Sequence, residues 1–116
     1  MSKIDLKIKS RDLNALLAAI RANNPEGDLD LIRRAYEYAS EAHKNQTRLS
    51  GEPYIIHPLE IGIILANLKM DTTTIAAALL HDVVEDTPVS LEIVREKFGE
   101  EIALLVDGVT KISSLK

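Results

Sequence analysis

The sequence contains no cysteine. Disulfides, thiolate metal sites and a cysteine nucleophile are therefore excluded, and the composition suits a reducing cytosol. Aromatic residues are scarce, with one Phe, three Tyr and no Trp, too few for the stacking platforms that hold single-stranded nucleic acids. A cationic surplus is also missing. The formal net charge is −4, whereas a nucleic-acid surface needs clustered Lys and Arg to displace counterions. No apolar run approaches the ~20 residues that cross a bilayer, and the N-terminal MSKIDLKIKSRD is charged throughout, with no apolar signal core. These absences lead to the expectation of a soluble cytoplasmic protein with no direct nucleic-acid binding and no membrane partner.

Glycine and proline are sparse, five and four in 116 residues, while Ala, Leu, Ile, Glu and Lys dominate. That balance favours an all-α chain over a sandwich or barrel. An apolar share of 46%, mostly aliphatic, suffices for the core of one compact domain. Leu13, Leu16, Leu17 and Ile20 recur at helical spacing, predicting a first helix that ends near Asn23-Asn24-Pro25. Asp28 or Asp30 can cap a second over about 30–45, with Leu31, Ile32, Ala35, Tyr36, Ala39 and Ala42 on one stripe. The segment TRLSGEPYIIHP, 47–58, is the least regular: Ser50-Gly51 is turn chemistry, Pro53 blocks a helix, and Pro58 can open the next at its first position. Residues 59–68 are apolar nearly all round and predict a buried helix. Asp71 or Thr72 caps a fourth helix, which Thr87-Pro88 ends. Ser90 caps LEIVREKF, which Gly99 breaks, and a last helix over about 100–107 is expected to stop at Gly108. About six helices with short connections make a bundle-like all-α domain.

One stretch conflicts with a simple core. In IAAALLHDVVEDT, 75–87, six apolar residues run directly into His81, Asp82, Glu85 and Asp86. Helical residues four apart share a face, with Cβ atoms about 5–6 Å apart, so His81 lies under Glu85 and Asp82 under Asp86. A solvated acidic end of an amphipathic helix accounts easily for Glu85 and Asp86. It accounts poorly for charges that directly follow a buried run, since buried charges need partners or a metal. His57, at the mouth of another helix, extends the cluster to a three-ligand set with His81 and Asp82. Imidazole and carboxylate without thiolate suit Mn, Fe, Zn or Co, and residue types alone do not choose among them. His43 has no partner motif and reads as structural. Arg48 lies in the irregular segment, either as a solvated loop arginine or as a guanidinium offered to a phosphate or a base face.

Taken together, RLSGEPYIIHP (48–58), AALLHDVVEDT (77–87) and LVDGVTKI (105–112) resemble, in this order and spacing, the hydrolase domain of the RelA/SpoT family of (p)ppGpp synthetases and hydrolases. The likeness runs from about residue 29 to the end of the chain. It implies an HD-domain-like helical fold and a phosphohydrolase that removes the 3′-pyrophosphate of (p)ppGpp, giving GDP or GTP in the stringent response, with Mn²⁺ as the usual metal. By the same resemblance, His57, His81 and Asp82 are metal ligands, and Glu85 and Asp86 orient or deprotonate the attacking water. Arg48 packs on the guanine and Ser50 belongs to the nucleotide-contacting loop. Leu49 departs from members with a second basic residue there, leaving apolar contact on that side of the base.

The family's further metal-ligating Asp lies well beyond the DGVTK segment, and Asp107, inside that segment, does not match it. The expectation is thus an N-terminal portion of the hydrolase domain, without synthetase or regulatory domains. Such a portion is expected to hydrolyse ppGpp poorly and to self-associate through apolar surface that the missing part would cover. A non-catalytic regulatory HD module and an HD phosphohydrolase acting on another nucleotide are the alternatives. The retained HDxxED residues speak against the first, and Arg48 with SGEPYIIHP against the second. No Walker or kinase glycine loop is present, so phosphate transfer from ATP is not expected here.

Overall fold

The computed structural model describes residues 12–114, with side chains from 12 to 111. Within them lie six helices and no strand beyond one isolated bridge: α1 (Leu13–Asn23), α2 (Leu29–Ala42), α3 (Ile56–Asn67), α4 (Thr72–Asp86), α5 (Leu91–Phe98) and α6 (Glu100–Ser114). The expected all-α, HD-like bundle is therefore what these residues form.

Four helix starts follow the capping chemistry of their sequence. Asp12, Asp28, Asp71 and Ser90 each have extended or otherwise non-helical backbone, and each side chain accepts a hydrogen bond from the amide three residues on. This satisfies one of the orphan N–H groups at each helix start. At the other end of α5, Gly99 takes a φ of 98°, a left-handed value at which a side chain would be strained.

The core is organised around α4, which packs against α2, α3 and α6, while α1 leans on α2 and α3, and α5 on α6. Ile75, Ala76, Leu79, Leu80 and Val83 of α4 are fully buried, facing Ile32, Ala35 and Ala39 of α2, Leu59 of α3 and Val106 of α6 within one cluster. Each fully buried Leu or Ile contributes about 1.5–3 kcal/mol of transfer free energy. The start of α4 is fastened to the α1–α2 connection, because the Asp28 amide donates to Thr72 Oγ1 at 3.3 Å. A Cβ on Gly27 would come within 2.9 Å of Thr72 Cγ2, so the close approach requires glycine there.

Three local expectations are corrected. First, α3 begins at Ile56, two residues before Pro58. A tight turn starts it, with Ile56 N–H donating to Pro53 O and His57 N–H to Tyr54 O. Pro58 is tolerated in the first turn because its missing N–H would have had no helical partner. Second, α3 is not buried all round: Pro58, Leu59, Gly62 and Ala66 are buried, but Ile64 is 58% exposed and Ile61 lies at the surface limit. Composition could not reveal this, since an all-apolar helix carries no periodic signal for which side is covered. Third, α6 runs through Gly108 to Ser114. Across the glycine, Lys111 Nζ lies 3.0 Å from the Asp107 carboxylate and Thr110 Oγ1 donates to Val106 O at 3.0 Å. Burial of Val106 against α4 then outweighs the roughly 1 kcal/mol that a mid-helix glycine costs.

Removal of the α4 cap, Asp71→Ala, is expected to lower unfolding free energy by about 1 kcal/mol, read by denaturant titration. Hydrogen bonds from Thr74, through its side chain and its backbone, hold the Asp71 carboxyl below its ordinary range. A depressed folded-state value means the stabilisation is present above the unfolded carboxylate pKa and fades as pH falls through the folded one. The difference between Asp71→Ala and the parent chain should accordingly shrink in acid.

Candidate metal centre

The alternation of α4 sets the site. Leu79, Leu80 and Val83 turn into the core, which leaves His81 and Asp82 on the rim of a cleft of about 580 Å³ between α3, α4 and α6. Ile61 and Leu65 from α3, and Leu105 and Val109 from α6, form apolar walls. The polar groups that converge on this low-dielectric space are His57, His81, Asp82 and Thr74, with no Lys or Arg among the lining residues.

His81 is flanked on both ring edges. Its Nδ1 lies 3.2 Å from Asp82 Oδ1, and its Nε2 lies 3.3 Å from Glu85 Oε2, one helical turn on. The three side chains are 17%, 14% and 31% exposed, shielded enough that their charges are poorly screened. One donor atom from each of His81, Asp82 and Glu85 lies within 4.8 Å of the others. His81 Nε2 is buried and makes no hydrogen bond among the described residues, in spite of its proximity to Glu85. A buried polar atom without a partner is costly, and two carboxylates beside it have no lining cation to offset them. A divalent ion would satisfy both, so this donor set fits a metal. His57 lines the same cleft but stands outside the tight group of three.

The remaining expected site residues fall elsewhere. Asp86 is not among the residues lining the cleft, and its Oδ2 accepts a 2.8 Å hydrogen bond from the Tyr54 hydroxyl. Arg48 and Ser50 are exposed and line a second cleft of about 670 Å³ with Leu49, Glu52 and Tyr54. This cleft lies in a short turn: Thr47 pairs antiparallel with Pro53, Gly51 N–H donates to Arg48 O at 2.8 Å, and Gly51 has a φ of 91°. Leu49 is completely exposed and contributes an apolar face. Thus His57, His81 and Asp82 line one cleft with Glu85 beside His81, while Arg48 and Ser50 line a second cleft with Tyr54, which holds Asp86.

Tyr54 hydrogen-bonds to Asp86 and lines the second cleft, and nothing in the sequence singled it out. Its phenol is pushed far above the ordinary range, chiefly by burial, then by the hydrogen bond to Asp86 and the nearby charges of Asp82 and Asp86, with Arg48 opposing. It therefore stays protonated and remains a hydrogen-bond donor. His43, read as structural, is 2% exposed and stacks on the Tyr54 ring at 4.6 Å. His43 Nδ1 lies 2.8 Å from Gln46 Oε1. The other end of that amide donates to the Asp86 carbonyl at 2.8 Å, which fixes its orientation and makes His43 Nδ1 the donor. The only sequence signal for this arrangement was a polar-tipped aromatic in an irregular loop.

His43→Ala is expected to destabilise the fold by roughly 1–3 kcal/mol, because it strands Gln46 Oε1 and removes the ring beneath Tyr54. Thermal unfolding checks this, and divalent-metal binding should survive the substitution.

Comparison with known proteins agrees with this architecture. The HD domain family matches residues 35–116, and the chain belongs to that family, whose members are metal-dependent. More particularly, it is 49% identical over 116 residues to guanosine-3′,5′-bis(diphosphate) 3′-pyrophosphohydrolase of Aquifex aeolicus, covering 100% of this chain and 16% of the relative. It is 50% identical over 92 residues to the bifunctional (p)ppGpp synthase/hydrolase SpoT of Escherichia coli K12, covering 79% and 13%. A probable GTP pyrophosphokinase of Mycobacterium leprae is 51% identical over 100 residues, covering 86% and 13%. The RelA/SpoT resemblance carried by the three motifs holds, and the chain spans only 13% to 16% of the length of these relatives. No described helix is long and apolar enough to cross a membrane.

Proposed function

We propose that this chain forms part of the metal-dependent phosphohydrolase domain of a (p)ppGpp synthetase/hydrolase, a domain that removes the 3′-pyrophosphate of (p)ppGpp to leave GDP or GTP, and that these 116 residues alone hydrolyse it poorly. The observation that carries this reading is the convergence of donor atoms from His81, Asp82 and Glu85 within 4.8 Å of one another beside a cleft that His57 also lines. Half-identity to proteins named as acting on this nucleotide supports the substrate class.

In this reading His57, His81 and Asp82 would hold the ion, with Mn²⁺ favoured by the family resemblance. A divalent ion there supplies polarisation of a phosphoryl oxygen and a lower pKa for the attacking water. Glu85, beside His81 and more exposed than it, would take the proton from the attacking water. Asp86 has one oxygen occupied by Tyr54, and its other oxygen is left to accept from the same water and orient it. On the second cleft, Arg48 offers a flat guanidinium to the guanine, Leu49 an apolar contact, and Ser50 a hydroxyl to the nucleotide. The apolar walls from α3 and α6 exclude bulk water, which strengthens each of these charge interactions.

The test combines Mn²⁺ titration with pyrophosphate release from ppGpp. His81→Ala and Asp82→Ala should lose both metal binding and hydrolysis while circular dichroism stays helical. Glu85→Gln should keep the metal and lower kcat by about 10²–10⁴-fold. Arg48→Ala should raise KM for ppGpp more than it lowers kcat. Undiminished pyrophosphate release by His81→Ala would sink the assignment, and equal competition by GTP and ppGpp would favour another nucleotide substrate.

A further inference from the structure

Four side chains from two segments close a ring at the end of α4. Asp86 is the last residue of that helix and is exposed, so nothing on α4 itself restricts its carboxylate. Two arms reach it from the loop after α2. Tyr54 donates from its hydroxyl to Asp86 Oδ2, and Gln46 donates from its amide to the Asp86 carbonyl, both at 2.8 Å. One arm therefore holds the side chain and the other the backbone.

Both arms rest on one buried residue. His43 donates from Nδ1 to Gln46 Oε1, and its ring lies against Tyr54 with 26° between planes. The arms are also tied to each other, because Tyr54 N–H donates to Gln46 O at 3.2 Å. The path His43–Gln46–Asp86–Tyr54–His43 is thus closed, and its base is 2% exposed. The seven residues between the arms contain Arg48 and Ser50, so the turn that lines the second cleft is anchored to the same ring.

We propose that Tyr54 is a positioning residue that acts through Asp86, with His43 and Gln46 holding it in place, so that the Arg48–Ser50 turn and the Asp86 carboxylate are set in register. The role rests on the proposed hydrolase function, in which Asp86 orients the attacking water. Loss of the hydroxyl frees the carboxylate to rotate, while the ring keeps its stack on His43 and the loop keeps its fold. The consequence is a slower chemical step rather than weaker nucleotide binding.

Tyr54→Phe tests this in two ways. In the metal-free protein, NMR side-chain couplings should show a single Asp86 χ1 rotamer in the parent chain and averaging in Tyr54→Phe, with Asp82 unchanged. In ppGpp hydrolysis, Tyr54→Phe should lower kcat about tenfold with KM unchanged, the effect of one hydrogen bond. In an Asp86→Ala background the same substitution should cost less than about twofold, because the two changes remove one interaction. An Asp86 that keeps one rotamer in Tyr54→Phe overturns the proposal. So does a loss carried by KM, which would make Tyr54 a direct nucleotide contact, or full additivity with Asp86→Ala. If the parent chain releases no pyrophosphate, the rotamer measurement in the metal-free protein alone decides the role of Tyr54, and a single Asp86 rotamer in Tyr54→Phe still overturns it.

Discussion

The structure depends on the burial of α4. Three helices pack around it, and its apolar positions supply the centre of the core. A helix enclosed in this way leaves little freedom to the residues next to its buried positions. His81 and Asp82 come directly after Leu80, so their Cα positions are as well determined as the core itself. Groups that must meet an ion to within a fraction of an ångström need such a support. The cost is an imidazole nitrogen buried without a hydrogen bond and two carboxylates with no lining cation, an arrangement that is unfavourable until an ion is present.

Rigidity is distributed unevenly across the site. His81 and Asp82 ride on the most buried helix, and His57 stands in the first turn of α3, anchored by the buried Pro58 and Leu59. Arg48 and Ser50 lie in an exposed turn whose order comes from a few backbone hydrogen bonds and the glycine at position 51. A fixed centre with an adaptable loop at its edge is a common division of labour, since loops on a rigid scaffold can adjust to a ligand. The His43–Gln46–Tyr54 support limits how far that edge departs from the centre, because it ends on Asp86 at the tip of α4.

Much of the fold was legible because its signals are local. Ser90 was readable as a cap, the caps at Asp28 and Asp71 to within two residues, and Asn23-Asn24-Pro25, Thr87-Pro88 and Gly99 as stops, since capping and chain-breaking act within one helical turn. The failures have the opposite character. Gly108 looked like a stop and is helix interior, because side-chain bonds across it and the packing of Val106 outweigh an intrinsic penalty of roughly 1 kcal/mol. The apolar α3 looked buried, although one side of it faces the cleft and solvent, a matter its even composition could not express.

The site divides along the same line. The sequence by itself determined that His81, Asp82 and Glu85 share one helical neighbourhood, because a fixed 3.6-residue repeat places them there whatever the rest of the chain does. It also determined that the chain carries the motifs of an HD domain. Only the tertiary structure decided that His57 lines the same cleft, that the Asp86 carboxylate pairs with Tyr54, and that a buried His43 lies against Tyr54 and Gln46. Those relations join segments tens of residues apart, and the distance between such segments is set by how helices pack, which no local periodicity encodes.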